Sequence, residues 1–227
     1  MTDRQHTHGA RADLLAAARN ENWGPGVLPQ LPEGVQARRS AVLVLFGVLD
    51  SIPAKTPDAA VAKDLDVLLQ RRAPTLSSHP GQVSFPGGRR ERADRDDADT
   101  ALREAEEETG LDPAGVEILA TLPALPLAVS NHQVTPVLGW WTQPSKVAAV
   151  DHAETVEVFR VPVAQLLDPA TRFRSVTTRG SMTFTGPAFD VDGTIVWGFT
   201  AMVLDRLFDA CGWTVPWDQT RERPVAV

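Results

Sequence analysis

Apolar positions along the 227-residue chain change period from one stretch to the next, and the changes outline its elements. Residues 10–20 place Leu14, Leu15 and Ala18 on one side of a short helix. The stretch NWGPGVLPQLPEG is rich in proline and glycine and reads as a loop. RRSAVLVLFGVL (38–49) and AKDLDVLLQRR (62–72) read as strands, separated by the loop SIPAKTPDA. APTLSSHPGQVSFPGG is turn-rich, and a helix opens after it. GVEILATLPAL, HQVTPVLGWWT and ETVEVFRVP alternate apolar and polar residues as half-buried strands do. PVAQLLDP predicts a short helix, and residues 172–198 predict strands and tight turns with DVDGT as a hairpin loop. FTAMVLDRLFDACG is amphipathic and closes on Gly212, a helix with its C-terminal stop. No internal repeat or low-complexity tract interrupts this order, which is that of one mixed α/β domain. Its expected bounds are 36–212, with an N-terminal extension (1–35, partly disordered or helical) and a C-terminal tail (213–227).

The helix after the glycines carries an unusual load. Asp96 or Asp97 can cap its start and Gly110 can end it, leaving three to four turns between them. At roughly 100° per residue, with Glu104 at zero, Glu108 falls near +40° and Glu107 near −60°, while Glu106 falls near 200°. Three carboxylates therefore share one face, and Arg103 can pair with Glu107 one turn on. A charged helix face is ordinarily just solvated. Here, however, like charges one turn apart repel, and they sit at the helix end where the dipole disfavours anions. A hard divalent cation such as Mg²⁺ or Mn²⁺ takes oxygen ligands and resolves both conflicts.

Composition narrows the partners. The formal net charge is −7, with 43% hydrophobic and 22% charged residues. An acidic surface repels nucleic acid and anionic membranes, so neither is expected as a partner. Cys211 is the only cysteine, which excludes an intrachain disulfide or a cysteine-based zinc cluster and suits a reducing compartment. The longest apolar run, residues 41–49, is broken by Gly47 and is far shorter than the roughly 20 residues of a membrane span. The polar start MTDRQHTHGAR has no apolar signal core, and RPVAV is no recognised address, so the expected location is the cytoplasm.

GGRRERADRDDADTALREAEEETGL resembles the Nudix box, G-x5-E-x7-R-E-U-x-E-E-x-G-U with U apolar. Arg103, Glu104, Ala105, Glu107, Glu108, Gly110 and Leu111 fit its second half. In the first half, Asp94 stands where the pattern has glutamate, and eight residues rather than seven precede Arg103. That lengthening is similar to the coenzyme A pyrophosphatase branch, whose upstream signature is roughly L-L-T-x-R-[SA]-x3-R-x3-G-x3-F-P-G-G. Leu68, Leu69, Arg72, Ala73, Gly81, Phe85, Pro86, Gly87 and Gly88 match it, but Gln70 replaces the threonine and Ser77 the second arginine. The two motifs cover residues 68–111, with weaker likeness extending to about residue 208.

The resemblance implies a Nudix α/β/α sandwich, a mixed β-sheet between helices. It also implies metal-dependent hydrolysis of coenzyme A or its thioesters to adenosine 3′,5′-bisphosphate and 4′-phosphopantetheine or its acyl form. Glu104, Glu107 and Glu108 become metal ligands, with the Gly88 carbonyl as a further one. Arg103 becomes their orienter, and the cation is Mg²⁺ or Mn²⁺. Glu104 can double as the general base, with Glu154 and Glu157 as rivals. Arg72, Arg89, Arg90 and His79 are candidate substrate contacts, although loop arginines and a turn histidine are as often plain surface. His132 is a weaker candidate. Trp140, Trp141 and Trp197 are expected in the core or at a homodimer interface. Two other readings stay open: a Nudix hydrolase of ADP-ribose, a dinucleotide or a modified nucleoside triphosphate, and a non-catalytic nucleotide sensor.

Overall fold

A computed structural model describes residues 9–19, 37–50, 60–75, 81–127, 131–180 and 182–225. Its spine is strand β1 (Arg38–Val48), nearly all apolar because it is covered on both faces. After a 3-10 turn at Ala62–Asp64 come β2 (Leu65–Arg72), β3 (Val83–Ser84) and β4 (Gly87–Arg89). Helix α2 (Asp97–Thr109) follows, then β5 (Val116–Thr121), β6 (Leu125–Leu127), β7 (His132–Trp141) and β8 (Thr155–Pro162). β7 runs parallel to β1 on one side, while β2 and β4 share the other side end to end, both antiparallel. β5 and β6 extend the sheet beyond β7, and β8 extends it beyond β2.

The alternation of β1 sorts the core into two layers. Ala41, Leu43 and Leu45 pack with Ala101, Ala105 and Leu111 of the α2 side. Val44 and Phe46 face the opposite layer, where Ala10, Leu14 and Ala17 of helix α1 (Ala10–Ala18) meet Val203, Leu204, Leu207 and Phe208 of the long C-terminal helix, Gly198–Ala210. The result is a mixed sheet between helices, the architecture the resemblance implies. Trp140 and Trp141, adjacent in β7, are both buried, one in each layer. Trp197 is half-buried at the N-cap of the C-terminal helix.

Short helix α3 (Val163–Leu167) leads to a second sheet of β9 (Arg172–Arg179), β10 (Met182–Val191), β11 (Thr194–Val196) and β12 (Glu222–Pro224), in the order β11-β10-β9-β12. The DVDGT hairpin turns on Asp192 (φ 49°) and Gly193 (φ 86°), two left-handed residues that match the twist of the flanking strands. The described parts of the flanking segments, residues 9–19 and 213–225, are joined to this body. Trp213 Nε1 donates to Asp13 Oδ2 at 2.9 Å, and β12 pairs in parallel with β9. The helix Gly198–Ala210 becomes α4 in chain order. Among the described residues no helix is long and apolar enough to cross a membrane.

Candidate active site

Two glycines and two alanines bring α2 onto the sheet. At Gly87 (φ +154°) a Cβ would lie 2.4 Å from the Ala41 carbonyl oxygen and 2.6 Å from Val42 Cα, so β4 can hug β1 only as glycine. At Gly88 a Cβ would stand 2.4 Å from the Glu104 carboxyl carbon, so that carboxylate rests on bare backbone. The fully buried Ala101 and Ala105 let the helix approach closely. Its start is capped by Asp96, whose Oδ1 accepts from the Asp99 N–H at 2.9 Å, and Gly110 ends it at φ 67°.

The acidic face then divides by environment. Glu108 is only 8% exposed. Its Oε2 accepts from Gln70 Nε2 at 2.7 Å and from the Gly87 N–H at 2.8 Å. Burial nevertheless dominates and pushes its pKa up to about 7. Glu104 is also raised by burial, against the pull of Arg103. Glu107 and Glu106 are exposed. Glu104, Glu107 and Glu108 line one cleft of about 220 Å³ together with Asp151, Glu154 and Thr155. The loop carrying Asp151 and Glu154 is docked by backbone bonds from Val150 N to the Glu108 carbonyl and from Ala73 N to the Glu154 carbonyl. Asp151 had no periodic or motif signal; only that docking puts it there.

Arg103 is the hub. Its Nε and Nη2 grip Asp94 at 2.9 and 3.1 Å, Nη2 also donates to the Arg89 carbonyl, and Nη1 reaches Glu104 at 3.0 Å and Glu107 at 3.1 Å. Asp94 further accepts from Thr100 Oγ1 and the Glu91 N–H, and the Arg103 guanidinium holds its carboxyl far below the ordinary range. The aspartate at the glutamate position of the box thus meets the arginine directly. If Arg103 orients Glu104 and Glu107, Arg103→Ala is expected to weaken metal dependence and turnover together. A rise in KM alone, in initial-rate kinetics, would make it a direct substrate contact instead.

The remaining candidates are distributed around this hub. Arg72 is half-buried beside Glu108 with its Nε unpartnered, on the cleft side of β2. Arg71 points the other way and pairs with Glu157. A β-bulge explains the split between Glu154 and Glu157. Arg71 pairs with Glu157 but Arg72 pairs with Thr155, so Val156 is the extra residue and the chain before it is re-aimed toward the cleft. Arg89 is exposed. Arg90 donates to Asp97 Oδ1 at 3.1 Å and to the Asp94 and Arg95 carbonyls, and so ties down the entrance of α2. His132 lies near Ser40 Oγ (3.5 Å) at the start of β7. His79 and Ser77 lie outside the described residues.

The donor set is all oxygen, which suits Mg²⁺ or Mn²⁺. Among the described residues no three acidic, imidazole or thiol groups already stand together as a closed metal cage. Glu104 and Glu107 both stand at Arg103 Nη1, the cation nearest them on this face. In charge and donor type the face fits a divalent ion, for which Arg103 would hold Glu104 and Glu107 in orientation.

The NUDIX domain family model matches residues 57–179. A Nudix hydrolase NudL of Pectobacterium atrosepticum is 34% identical over 179 residues, covering 79% of this chain and 85% of its own. The chain belongs to the Nudix family. It is also 37% identical over 150 residues to Nudix hydrolase 22, chloroplastic, of Arabidopsis thaliana, covering 63% of this chain and 49% of that protein. The peroxisomal coenzyme A diphosphatase NUDT7 of Mus musculus is 38% identical over 120 residues, 52% of this chain and 50% of its own. The chain thus spans about half the length of those two relatives.

Proposed function

We propose that the chain is a divalent-metal-dependent hydrolase of the phosphoanhydride in coenzyme A and its thioesters. The carrying observation is the cleft itself: five carboxylates and one threonine line it. An anionic diphosphate can enter such a cleft only with a cation. Glu104, Glu107 and Glu108, with the Gly88 carbonyl, would hold Mg²⁺ or Mn²⁺. Bound there, the ion would polarise phosphoryl oxygens and acidify a water. Arg103 keeps Glu104 and Glu107 aimed while the ion is away. Glu104 or Glu154, both in the cleft, would take the water's proton, whereas Glu157 is engaged by Arg71. The likeness to the mouse coenzyme A diphosphatase and the Leu68–Leu69…Phe85–Pro86–Gly87–Gly88 signature support this substrate class.

Coenzyme A differs from ADP-ribose and NADH in its 3′-phosphate, which needs a cationic contact in an acidic protein. Arg72, half-buried with an unpartnered Nε, and exposed Arg89 are placed to supply it. A charge-assisted bond of roughly 1.5–3 kcal/mol corresponds to at least about tenfold in kcat/KM. Coenzyme A is therefore expected to be cleaved at least about tenfold better than dephospho-coenzyme A. Arg72→Ala or Arg89→Ala should abolish the difference. Equal rates on the two, or faster cleavage of ADP-ribose, would leave the Nudix chemistry but remove coenzyme A as substrate. Binding of nucleotide without any product would favour a sensor.

A further inference from the structure

We propose that Gln70 is a positioning residue that pins one oxygen of Glu108 and leaves the other for the metal. The inference rests on the reading of Glu108 as a ligand given above. Gln70 is fully buried in β2 and lies two residues from Leu68, on the sheet face that packs against α2. Its Nε2 donates to Glu108 Oε2 at 2.7 Å, and the Gly87 N–H donates to that same oxygen at 2.8 Å. Among the described residues no hydrogen bond is directed to Glu108 Oε1, and Glu108 lines the cleft. Two donors on one oxygen fix the rotation of the carboxylate and present the other oxygen outward.

The amide is itself held. Thr155 Oγ1 donates to Gln70 Oε1 at 3.3 Å. This sets the sense of the amide, because the reverse orientation would set its oxygen against the Glu108 carboxylate. Thr155 reaches Gln70 only because the β-bulge skips Val156 and sets Thr155 opposite Arg72. The chain of contacts therefore runs from β8 through β2 to α2 and ends on a cleft carboxylate. The threonine that the coenzyme A signature has at this position would end two bonds short of the amide nitrogen.

The test is Mn²⁺ affinity of the substrate-free protein, read from the electron paramagnetic resonance of free Mn²⁺, together with kcat and KM on coenzyme A. Gln70→Met keeps volume and burial but removes the donor. It is expected to raise the Mn²⁺ Kd about 10- to 100-fold. Its kcat should fall at limiting metal and recover at high metal, with KM unchanged. An Mn²⁺ Kd within twofold of the unmutated chain would overturn the proposal, whatever happens to the melting temperature. If Gln70→Met does not fold, Thr155→Val, nearly isosteric, decides. About threefold weaker Mn²⁺ binding is expected from one neutral hydrogen bond, and unchanged binding would overturn it. An unmutated chain that binds no Mn²⁺ overturns the ligand reading of Glu108, and this inference with it.

Discussion

Glu108→Gln is expected to cut metal-dependent turnover by roughly a thousandfold, because a ligand carboxylate supplies several kcal/mol of charge stabilisation at about 1.4 kcal/mol per decade. The same change should stabilise the metal-free protein. The folded pKa of Glu108 lies at about 7, above its ordinary 4.5. Its contribution to stability is therefore full below about pH 4.5 and is lost as the pH rises to about 7. Glutamine has no proton to lose. In chelator, the melting temperature of Glu108→Gln should exceed that of the unmutated chain by an amount that grows across this window and then levels off, worth roughly 3 kcal/mol. Glu106→Gln, on the exposed side, is the matched control and should leave both turnover and stability nearly unchanged. A fall in melting temperature for Glu108→Gln would mean the carboxylate is structural.

Removing Asp94 should have the opposite signature. Its carboxylate is buried and receives Arg103 bidentately, Thr100 and a backbone N–H. Asp94→Ala leaves Arg103 with only the Arg89 carbonyl on that side and frees it to bind Glu104 and Glu107 more tightly. Asp94 is covered by its own loop and by Arg103 rather than lying deep in the core. The cost is accordingly roughly 2–3 kcal/mol, below that of a core ion pair. That corresponds to a melting temperature lower by roughly 4–12 °C for a chain of this size. Because the Asp94 pKa is depressed, its contribution is present above the ordinary 3.8 and lost only toward strong acid. The deficit of Asp94→Ala should therefore be the same at pH 5 and pH 8. An unchanged melting temperature would show that the Asp94–Arg103 pair does not hold the loop before α2.

The parts of this molecule legible in its sequence are those set by local rules. The limits of α2 follow from a capping aspartate and a left-handed glycine. The faces of its glutamates follow from helix geometry, and β1 follows from an apolar run interrupted only at Gly47. The rest depends on contacts between distant segments. β3 and β4 are two and three residues long, too short for a period, and exist because β2 and β1 offer them edges. The 62–72 stretch opens with a 3-10 turn because Asp64 Oδ2 accepts from the Val61 N–H. β12 is three exposed residues whose identity as a strand comes from its neighbour β9. The bulge at Val156, which decides that Thr155 turns to the cleft while Glu157 pairs with Arg71, is a matter of register between two strands. No pattern within either strand encodes it.

The most direct measurement is product analysis after incubation with coenzyme A and Mg²⁺ or Mn²⁺, for the unmutated chain and for Glu108→Gln, each with and without chelator. Equimolar adenosine 3′,5′-bisphosphate and 4′-phosphopantetheine are expected from the unmutated chain with metal alone. Products formed in chelator, or formed undiminished by Glu108→Gln, would contradict hydrolysis by a cation held on the acidic face of α2.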